Sequence, residues 1–337
     1  MKKPRSLLLL LAIAIALAIS ATGQAAGLKK GFYKKRCPQA EETVRSIVWK
    51  HVSTNSELPA KLLRLFFHDC FVRVRPNLSL AGFDVIEEVK TSLEKACPAT
   101  VSCADIVALA ARDSVSFQVL FIELKTTLVV VVIDNGAHGY IHLQFDRLLW
   151  EVKTGRRDGT ISRQSEALLD IPSPASNFSV LTGRFANKSL GVKDLVVLSG
   201  AHTIGVGHCN LFSQRLYNFT GKNAANDTDP SLDPTYAALL KTKCRSLADN
   251  TTTVEMDPGS STDFDNHYYA NLKEKKGLFV SDAALLTDQR SAKLVGKLLR
   301  PGDFFDAFRH SITRMGAIGV LTGTAGEIRN KCSVVNS

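Results

Sequence analysis

The sequence predicts a mainly α-helical protein, and two observations support this fold class. Apolar side chains recur three and four residues apart along most of the chain, which is the spacing of one face of an α-helix. Short loops rich in glycine, proline, aspartate and asparagine separate these segments, and no internal repeat or long low-complexity tract interrupts them. Together they predict an all-α protein.

The predicted helices follow one another in chain order. The first, at 40–51, places Val44, Ile47 and Val48 on one face and has glutamates in its first turn, where acidic side chains stabilise the helix dipole. The second, at 59–71, starts with Pro59, which the first turn of a helix tolerates. The same period predicts helices at 83–95, 103–115, 193–199, 210–219, 234–244, 265–275, 291–299 and 303–316.

The segment from Val119 to Gln144 differs from the rest of the chain. It is apolar and rich in β-branched residues, and it contains Asn135-Gly136, a dipeptide typical of hairpin turns. Residue propensity alone therefore predicts a β-hairpin within an otherwise helical protein.

Residues 1–26 have the three parts of a secretory signal peptide. Two lysines and an arginine precede an apolar run from Leu7 to Ile19, and small residues follow it. The run is short for a membrane-spanning helix, so we expect cleavage rather than a retained anchor. Residues 27–337 should then form the mature domain, with no membrane association.

The composition suits a secreted enzyme. The formal net charge of +10 falls to +7 when the leader and its three basic residues are removed. A moderately basic secreted protein favours acidic partners such as extracellular polysaccharide or anionic lipid, and the compartment argues against nucleic acid. Seven cysteines are too few for a small disulfide-dense scaffold, and their odd number leaves one without a partner in the chain. Glycosylation sequences occur at Asn77, Asn177, Asn187, Asn218, Asn226 and Asn250.

Arg64 and His68 are candidate catalytic residues. They lie four residues apart on a predicted helix and share a face, with Phe67 beside His68. A fixed cation lowers the pKa of a neighbouring imidazole, keeps it available as a base and stabilises a developing anion. Taken alone, however, such a pair is more often a buried structural histidine and a surface arginine.

Three further segments carry candidate ligands. His202 lies between Gly200 and Gly205, which would let a backbone or a flat ligand come close, although a lone histidine is more often structural. A loop at 256–269 alternates carboxylates and hydroxyls that suit Ca²⁺, but without EF-hand spacing it describes helix caps and turns equally well. Asp282 is a carboxylate just after a turn.

Taken together, these segments resemble the secretory plant (class III) haem peroxidases. The resemblance covers nearly the whole chain after residue 26, and its motifs follow the family order. They are Gly31-Phe-Tyr33, Cys37-Pro38, Arg64-Leu-Phe-Phe-His68-Asp-Cys-Phe-Val72, Val101-Ser-Cys-Ala-Asp105, Gly155-Arg-Arg-Asp158, Gly200-Ala-His-Thr203, Phe264-Asp-Asn266 and Arg314-Met-Gly316. The resemblance implies a two-lobed, all-α haem peroxidase fold with haem between a distal and a proximal half.

The resemblance also implies roles for the candidate residues. His202 would be the axial ligand of haem b iron, with Asp282 accepting a hydrogen bond from its other ring nitrogen. His68 would move the proton of hydrogen peroxide, and Arg64 would stabilise the charge that develops as the O–O bond breaks. Phe67 would line the haem pocket, and Pro172 the site of the aromatic donor.

Metal sites and disulfides follow from the same resemblance. A proximal Ca²⁺ would be bound by Thr203, Asp257, Ser260, Asp263 and Asp265, with Asp263 giving a carbonyl oxygen. Asp69 and the Val72 carbonyl would remain from a distal calcium site. Asp105 and Arg156 would form a buried ion pair between the halves. The implied disulfides are Cys37–Cys97, Cys103–Cys332 and Cys209–Cys244, which leaves Cys70 unpaired.

The chain departs from the family pattern in two places. A stretch is missing after Arg73 that would carry the partner of Cys70, most distal calcium ligands and a glutamate that helps to orient the distal histidine. Asn77, just beyond, would correspond to the asparagine that fixes the tautomer of His68. The segment from Val119 to Gln144 is an insertion. We hypothesise that one or both departures come from gene modelling or splicing.

The resemblance thus predicts a monomeric peroxidase of the cell wall, apoplast or vacuole. It would contain haem b and Ca²⁺, reduce hydrogen peroxide and oxidise small phenolic donors by one-electron steps, in cell-wall metabolism and the response to oxidative stress. One alternative is a secreted haem-binding or cell-wall-binding protein with little turnover, because the distal calcium and disulfide region is missing. Another is an inert, misfolded product.

Overall fold

A computed structural model describes residues 27–72, 80–131, 148–161, 170–222, 224 and 226–336, with side chains only up to residue 120 in the helix that ends at Val131. The predicted signal peptide, the position of Asn77 and the Asn135-Gly136 turn lie outside these residues.

The described ranges are mainly helical, as predicted, and contain twelve α-helices. In chain order these are α1 (Ala40–Val52), α2 (Leu58–Phe71), α3 (Phe83–Ala96), α4 (Cys103–Val131), α5 (Phe178–Ala186), α6 (Val192–Ser199), α7 (Ser213–Tyr217), α8 (Pro234–Lys243), α9 (His267–Lys273), α10 (Val280–Ala284), α11 (Gln289–Lys297) and α12 (Pro301–Met315).

Short irregular elements interrupt the second half of the chain. A 3₁₀ turn at Gly200–Thr203 follows α6, and another at Cys209–Leu211 precedes α7, so the single helix predicted at 210–219 is in fact two elements. Strands β1 (Val206–His208) and β2 (Thr253–Glu255) form an antiparallel pair that periodicity did not predict. Three-residue strands are too short to show an alternating pattern.

The hairpin predicted to begin at Val119 is wrong for residues up to Val131, which continue α4. Adding a residue to an existing helix costs far less than nucleating a new element. The first residues of the segment also include leucines, a glutamate and a lysine, which are good helix formers.

Helix packing divides into two groups, which are the two lobes of the fold. In the first, α1, α2 and α3 pack against α4; in the second, α6 packs against α5, α11 and α12. A separate small core in the second group joins Phe212 and Leu216 near α7 to Tyr236 on α8 and to Phe279. The second half therefore has its own apolar support around the segment that leads into α10.

A buried ion pair connects the two groups of helices. Arg156 donates through Nη1 to Asp105 Oδ1 at 2.9 Å and through Nη2 to the Gly316 carbonyl, just after α12, at 2.6 Å. Tyr33 donates its hydroxyl to Asp105 Oδ2 at 2.7 Å. The start of α4 is thus tied to the end of α12 through fully hydrogen-bonded charges.

Three disulfides are present, and they are the pairs that the resemblance implies: Cys37–Cys97, Cys103–Cys332 and Cys209–Cys244. Cys70 on α2 is a free thiol.

Candidate active site

Helix α2 places Arg64, Phe67 and His68 together. Its buried residues, such as Leu62 and Phe66, belong to the larger of the two apolar cores and hold the helix in place. Arg64 on the same helix is exposed. The Phe67 ring meets the His68 ring edge to face, with 5.7 Å between centroids. The shared helix face that the sequence predicted is therefore present.

His68 is held as a neutral base. Only 7% of its surface is exposed. Burial, with the positive charge of Arg64 as the second cause, lowers the pKa of His68 from 6.5 to about 4. Among the described residues, neither ring nitrogen has a hydrogen-bond partner. The imidazole can thus accept a proton at any pH above the acidic range.

His202 lies in the 3₁₀ turn after α6 and is oriented by a carboxylate from α10. Its Nδ1 is 2.7 Å from Asp282 Oδ1. Because an ionised carboxylate only accepts, Nδ1 carries the hydrogen. The Tyr268 hydroxyl donates to the same oxygen at 2.9 Å, and the Phe279 backbone N–H donates to Asp282 Oδ2 at 2.8 Å.

Asp282 is an ionised carboxylate inside the protein, with only 1% of its surface exposed. Burial by itself would raise its pKa, but His202 and the hydrogen bonds from Phe279 and Tyr268 outweigh that effect and hold the pKa below its ordinary value. The proton therefore stays on His202 Nδ1.

The second nitrogen of His202, Nε2, remains available. No hydrogen bond to it comes from the described part of the chain, and 36% of the side chain is exposed. The edges of Tyr268 and Phe279 fix the ring plane, with centroids 5.9 and 5.7 Å away. An oriented imidazole with one free, accessible nitrogen fits an axial metal ligand.

Sequence reasoning missed the residues that support Asp282. Arg215 on α7 is buried and donates to Asp229 Oδ2 at 2.7 Å and to the carbonyls of Gly277 and Leu278 at 2.7 and 2.8 Å. It thereby fixes the chain just before Phe279. Its partners lie 14 to 63 residues away, so no local pattern could have revealed them.

Side chains from other elements lie close to the two glycines that flank His202. A Cβ on Gly200 would lie 2.6 Å from the Phe304 ring, and a Cβ on Gly205 would lie 2.9 Å from Ala60 on α2. Gly205 also has a φ of +98°, which disfavours other residues.

Four of the five predicted proximal calcium ligands meet beside His202. The Thr203 hydroxyl lies 2.8 Å from Asp257 Oδ2 and 2.9 Å from Asp265 Oδ1, and Ser260 donates to Asp265 Oδ2 at 2.7 Å. Asp263 joins them only through its backbone, whose N–H donates to the Ser260 carbonyl at 3.0 Å. Strand β2 leads into this loop and pairs with β1, which follows His202.

The donor set fits a hard cation. The Thr203 hydroxyl has one hydrogen, so it can donate to only one of the two carboxylates that it touches. Asp257 is fully buried, and burial raises its pKa above the ordinary value. A bound Ca²⁺ would relieve both conflicts with oxygen ligands alone. In the described ranges no three His, Cys, Asp or Glu side chains lie together as a group that could hold a metal ion.

The remaining predicted residues are placed as follows. Asp69 is exposed next to His68. Val72 follows the last residue of α2, and its backbone N–H donates to the His68 carbonyl at 2.8 Å. Pro172 is half-buried in a segment fixed to the proximal side, because the Pro174 carbonyl accepts from the Ser281 N–H at 2.9 Å.

In the part of the chain that the structure describes, no helix has the length and apolar character needed to cross a membrane.

Comparisons of this sequence with known families and known proteins agree with one another. Residues 44–300 match the sequence profile of a family described as peroxidase. Peroxidase 24 and Peroxidase 56 of Arabidopsis thaliana are each 46% identical to this chain over 92% of its length, and the matches cover 87% and 91% of those proteins. Peroxidase 1 of Oryza sativa subsp. japonica is 43% identical over 93% of this chain and 94% of its own length.

Proposed function

Because this chain belongs to the plant class III peroxidase family and is a peroxidase, we propose that His202, His68 and Arg64 carry that activity. The observation that supports this assignment most strongly is the hydrogen bond from His202 to the buried, ionised Asp282. It leaves Nε2 unprotonated, as an axial ligand requires.

On the proximal side, His202 would hold haem b through Nε2. When bound, haem would supply the iron that takes up hydrogen peroxide and the oxidising equivalents that phenolic donors consume. Asp282 would keep the proton on Nδ1 and so increase the basicity of the ring. Thr203, the next residue, would join Asp257, Ser260, Asp265 and the Asp263 carbonyl in binding Ca²⁺, which would fix the turn that carries His202.

On the distal side, His68 would accept one proton from hydrogen peroxide and return it to the leaving oxygen as water. Arg64, one helical turn away, would stabilise the negative charge that develops when the O–O bond breaks. Phe67 would line the pocket, and the segment around Pro172 would contact the aromatic donor. Two phenol molecules would each lose one electron and one proton, so that one peroxide becomes two waters.

One preparation tests this assignment. The chain from residue 27 is loaded with haem and Ca²⁺, its Soret band is recorded, and hydrogen peroxide and guaiacol are added. A Soret band with turnover is expected. His202→Ala should lose the band, whereas His68→Leu should keep the band and lose turnover by about 10²–10⁴-fold. A band without turnover in the unmodified chain would favour a haem-binding protein, and no band would favour a misfolded product.

The leader and the charge support a proposal about location. We propose that residues 1–26 are cleaved and that the monomeric product acts in the cell wall, apoplast or vacuole. An exposed basic cluster at the new N-terminus would bind acidic polysaccharide; it comprises Lys29, Lys30, Lys34, Lys35 and Arg36. Binding to polygalacturonate should weaken with salt and with Lys34→Glu/Lys35→Glu. The matched pair Lys293→Glu/Lys297→Glu on α11 should leave it unchanged, and equal losses would contradict the proposal.

The segment from Val119 to Gln144 remains, in our proposal, an artefact of gene modelling or splicing. Residues near both ends of this segment form hydrogen bonds with other parts of the chain. Ser116 accepts from the Leu149 N–H at 3.0 Å, so the chain before the segment touches the chain after it. Gln118 donates to the Thr262 carbonyl in the calcium loop at 2.7 Å. These contacts support the proposal, because they join the chain before the segment to the chain after it and to the calcium loop without using residues 119–144.

A further inference from the structure

One buried side chain, that of Gln118 on α4, joins the calcium loop (residues 256–269) to the start of α2. Its Nε2 donates to the Thr262 carbonyl at 2.7 Å and to the Ser56 carbonyl at 3.4 Å, and only 7% of its surface is exposed. An amide nitrogen has two hydrogens, so both bonds can form at once. Because Ser56 lies two residues before α2, Gln118 links the chain that enters this helix to the calcium loop.

The bond to Thr262 acts on the part of the loop that would offer a carbonyl oxygen to Ca²⁺. The Thr262 carbonyl and the Asp263 N–H belong to one planar peptide group. Gln118 holds the carbonyl end of that group, and the Ser260 carbonyl holds the other end by accepting from the Asp263 N–H at 3.0 Å. The peptide group before the predicted Asp263 ligand is therefore fixed from both ends.

A second contact joins the calcium loop to α2 through Gly205. The Gly205 N–H donates to the Ser261 carbonyl at 2.9 Å, and its carbonyl accepts from the Met256 N–H at 3.0 Å. A Cβ on Gly205 would lie 2.9 Å from the Ala60 Cβ, so this backbone lies directly against α2. Ala60 lies one helical turn before Arg64. The calcium loop thus meets α2 at two points near its start.

We propose that Gln118 is a positioning residue that couples Ca²⁺ binding in the calcium loop to the placement of α2, which carries Arg64 and His68. Ca²⁺ orders the loop, Gln118 holds the chain before α2 to it, and the Gly205–Ala60 contact sets how closely the helix approaches. Such coupling is reciprocal, so a change at Gln118 alters both the affinity for Ca²⁺ and the order of α2. The proposal rests on the calcium site and on the role of His68 proposed above.

Calcium affinity is measured first, because it does not require turnover. Ca²⁺ is titrated calorimetrically into the haem-loaded, calcium-depleted chain. Gln118→Met keeps the length of the side chain but cannot donate, and the affinity should fall by about 2–10-fold, as expected for the loss of a hydrogen bond of typical net strength. If Gln118→Met fails to fold, Gln118→Asn, whose amide is one methylene shorter, takes its place. The matched control Gln289→Met, at an exposed position of α11, should bind Ca²⁺ as the unmodified chain does.

The coupling itself is measured by amide hydrogen exchange with Ca²⁺ and with excess EGTA. In the unmodified chain, EGTA should speed exchange both in the calcium loop and at residues 54–64. In Gln118→Met, residues 54–64 should already exchange fast with Ca²⁺ present and respond little to EGTA, while the calcium loop still responds. A merely structural role would leave the response of residues 54–64 to EGTA intact.

The outcomes separate the coupling from the calcium site. Unchanged Ca²⁺ affinity in the Gln118 variant, or an undiminished response of residues 54–64 to EGTA, would overturn the inference while leaving the calcium site in place. Absence of Ca²⁺ binding to the unmodified chain would instead refute the calcium site proposed above, and the coupling with it.

Discussion

His202 Nδ1 and Asp282 Oδ1 lie 2.7 Å apart although 80 residues separate them in the chain. The pair combines a partly exposed imidazole with a carboxylate that has almost no contact with solvent. Several independent elements converge to keep this contact, namely the turn after α6, the Tyr268 hydroxyl from α9 and the start of α10. Such convergence is expected where the orientation and basicity of a ligand have to be fixed.

Asp282→Asn should weaken haem retention and slow the peroxide reaction. The amide cannot carry the negative charge that increases the basicity of His202, and losses of about 10–100-fold are typical for such partners of a metal ligand. Haem affinity is measured by titration of the Soret band. Glu274→Gln, at an exposed carboxylate, is the control. Equal haem affinity in the two variants would contradict the proposed role of Asp282.

The peroxide reaction should remain fast down to an acidic pH. Only neutral His68 accepts a proton, and burial together with Arg64 lowers its pKa to about 4, so the rate should be constant above that pH and decline below it. Arg64→Leu removes one of the two causes of the low His68 pKa, so the midpoint of the pH profile should move to higher pH. The rate above that midpoint should also be lower, because the stabilising charge of Arg64 is lost. Stopped-flow rates between pH 3 and 8 give the profile. A midpoint near 6.5, the ordinary value for histidine, would show that His68 is not the titrating base.

Removal of Ca²⁺ should destabilise the second half of the chain. Without the cation, the carboxylates of Asp257 and Asp265 share the single hydrogen of Thr203. Excess EGTA should lower the Tm by several degrees, since about 1 kcal/mol corresponds to about 2–4 °C in proteins of about 150–250 residues and to less in a longer chain. Thr203→Val should lower the Tm and reduce the response to EGTA. Thr242→Val, at an exposed position of α8, should do neither.

The Asp105–Arg156 pair should behave as a coupled unit. Replacing only one partner, with Asp105→Asn or Arg156→Met, leaves a buried charge without its counterpart and should cost about 3–5 kcal/mol of unfolding free energy. The double variant should be less destabilised than the sum of the single variants. Denaturant titrations of the four proteins measure the coupling. Strict additivity would mean that the pair does not interact energetically.

A chain that lacks residues 119–144 should fold at least as stably as the full chain. The bond from Leu149 to Ser116 and the bond from Gln118 to Thr262 both lie outside the deleted part. Thermal unfolding compares the two proteins. Sequencing of the transcript addresses the origin of the segment and of the gap after Arg73, and a message that contains both departures intact would refute the hypothesis of a gene-model or splicing error.

Local sequence pattern predicted the long helices of this fold well. Helices such as α1, α2 and α12 have several turns with one apolar face, so their periodicity is strong. It did not predict α10, which has five residues, nor the pairing of β1 with β2. Elements this short are stabilised by their tertiary contacts, and these leave little trace in the local sequence.

The residues of the candidate site also differ in how far the sequence predicted their contacts. Arg64 and His68 are one helical turn apart, so their proximity follows from the sequence alone. The contact of His202 with Asp282 was inferred only through resemblance, because it joins distant segments. The support from Arg215 was not inferred at all, since its partners are backbone carbonyls that no residue type identifies.

The disulfide between Cys103 and Cys332 joins residues that are 229 positions apart and closes a ring that contains His202, Asp282 and the calcium loop. Any single peptide-bond cleavage inside that ring opens it without releasing a fragment. A protease that makes one such cut would therefore yield a product of unchanged mass, apart from one added water. The nick would become visible on a gel only after reduction. Such covalent closure would keep His202, Asp282 and the calcium loop attached to the rest of the protein after one cut.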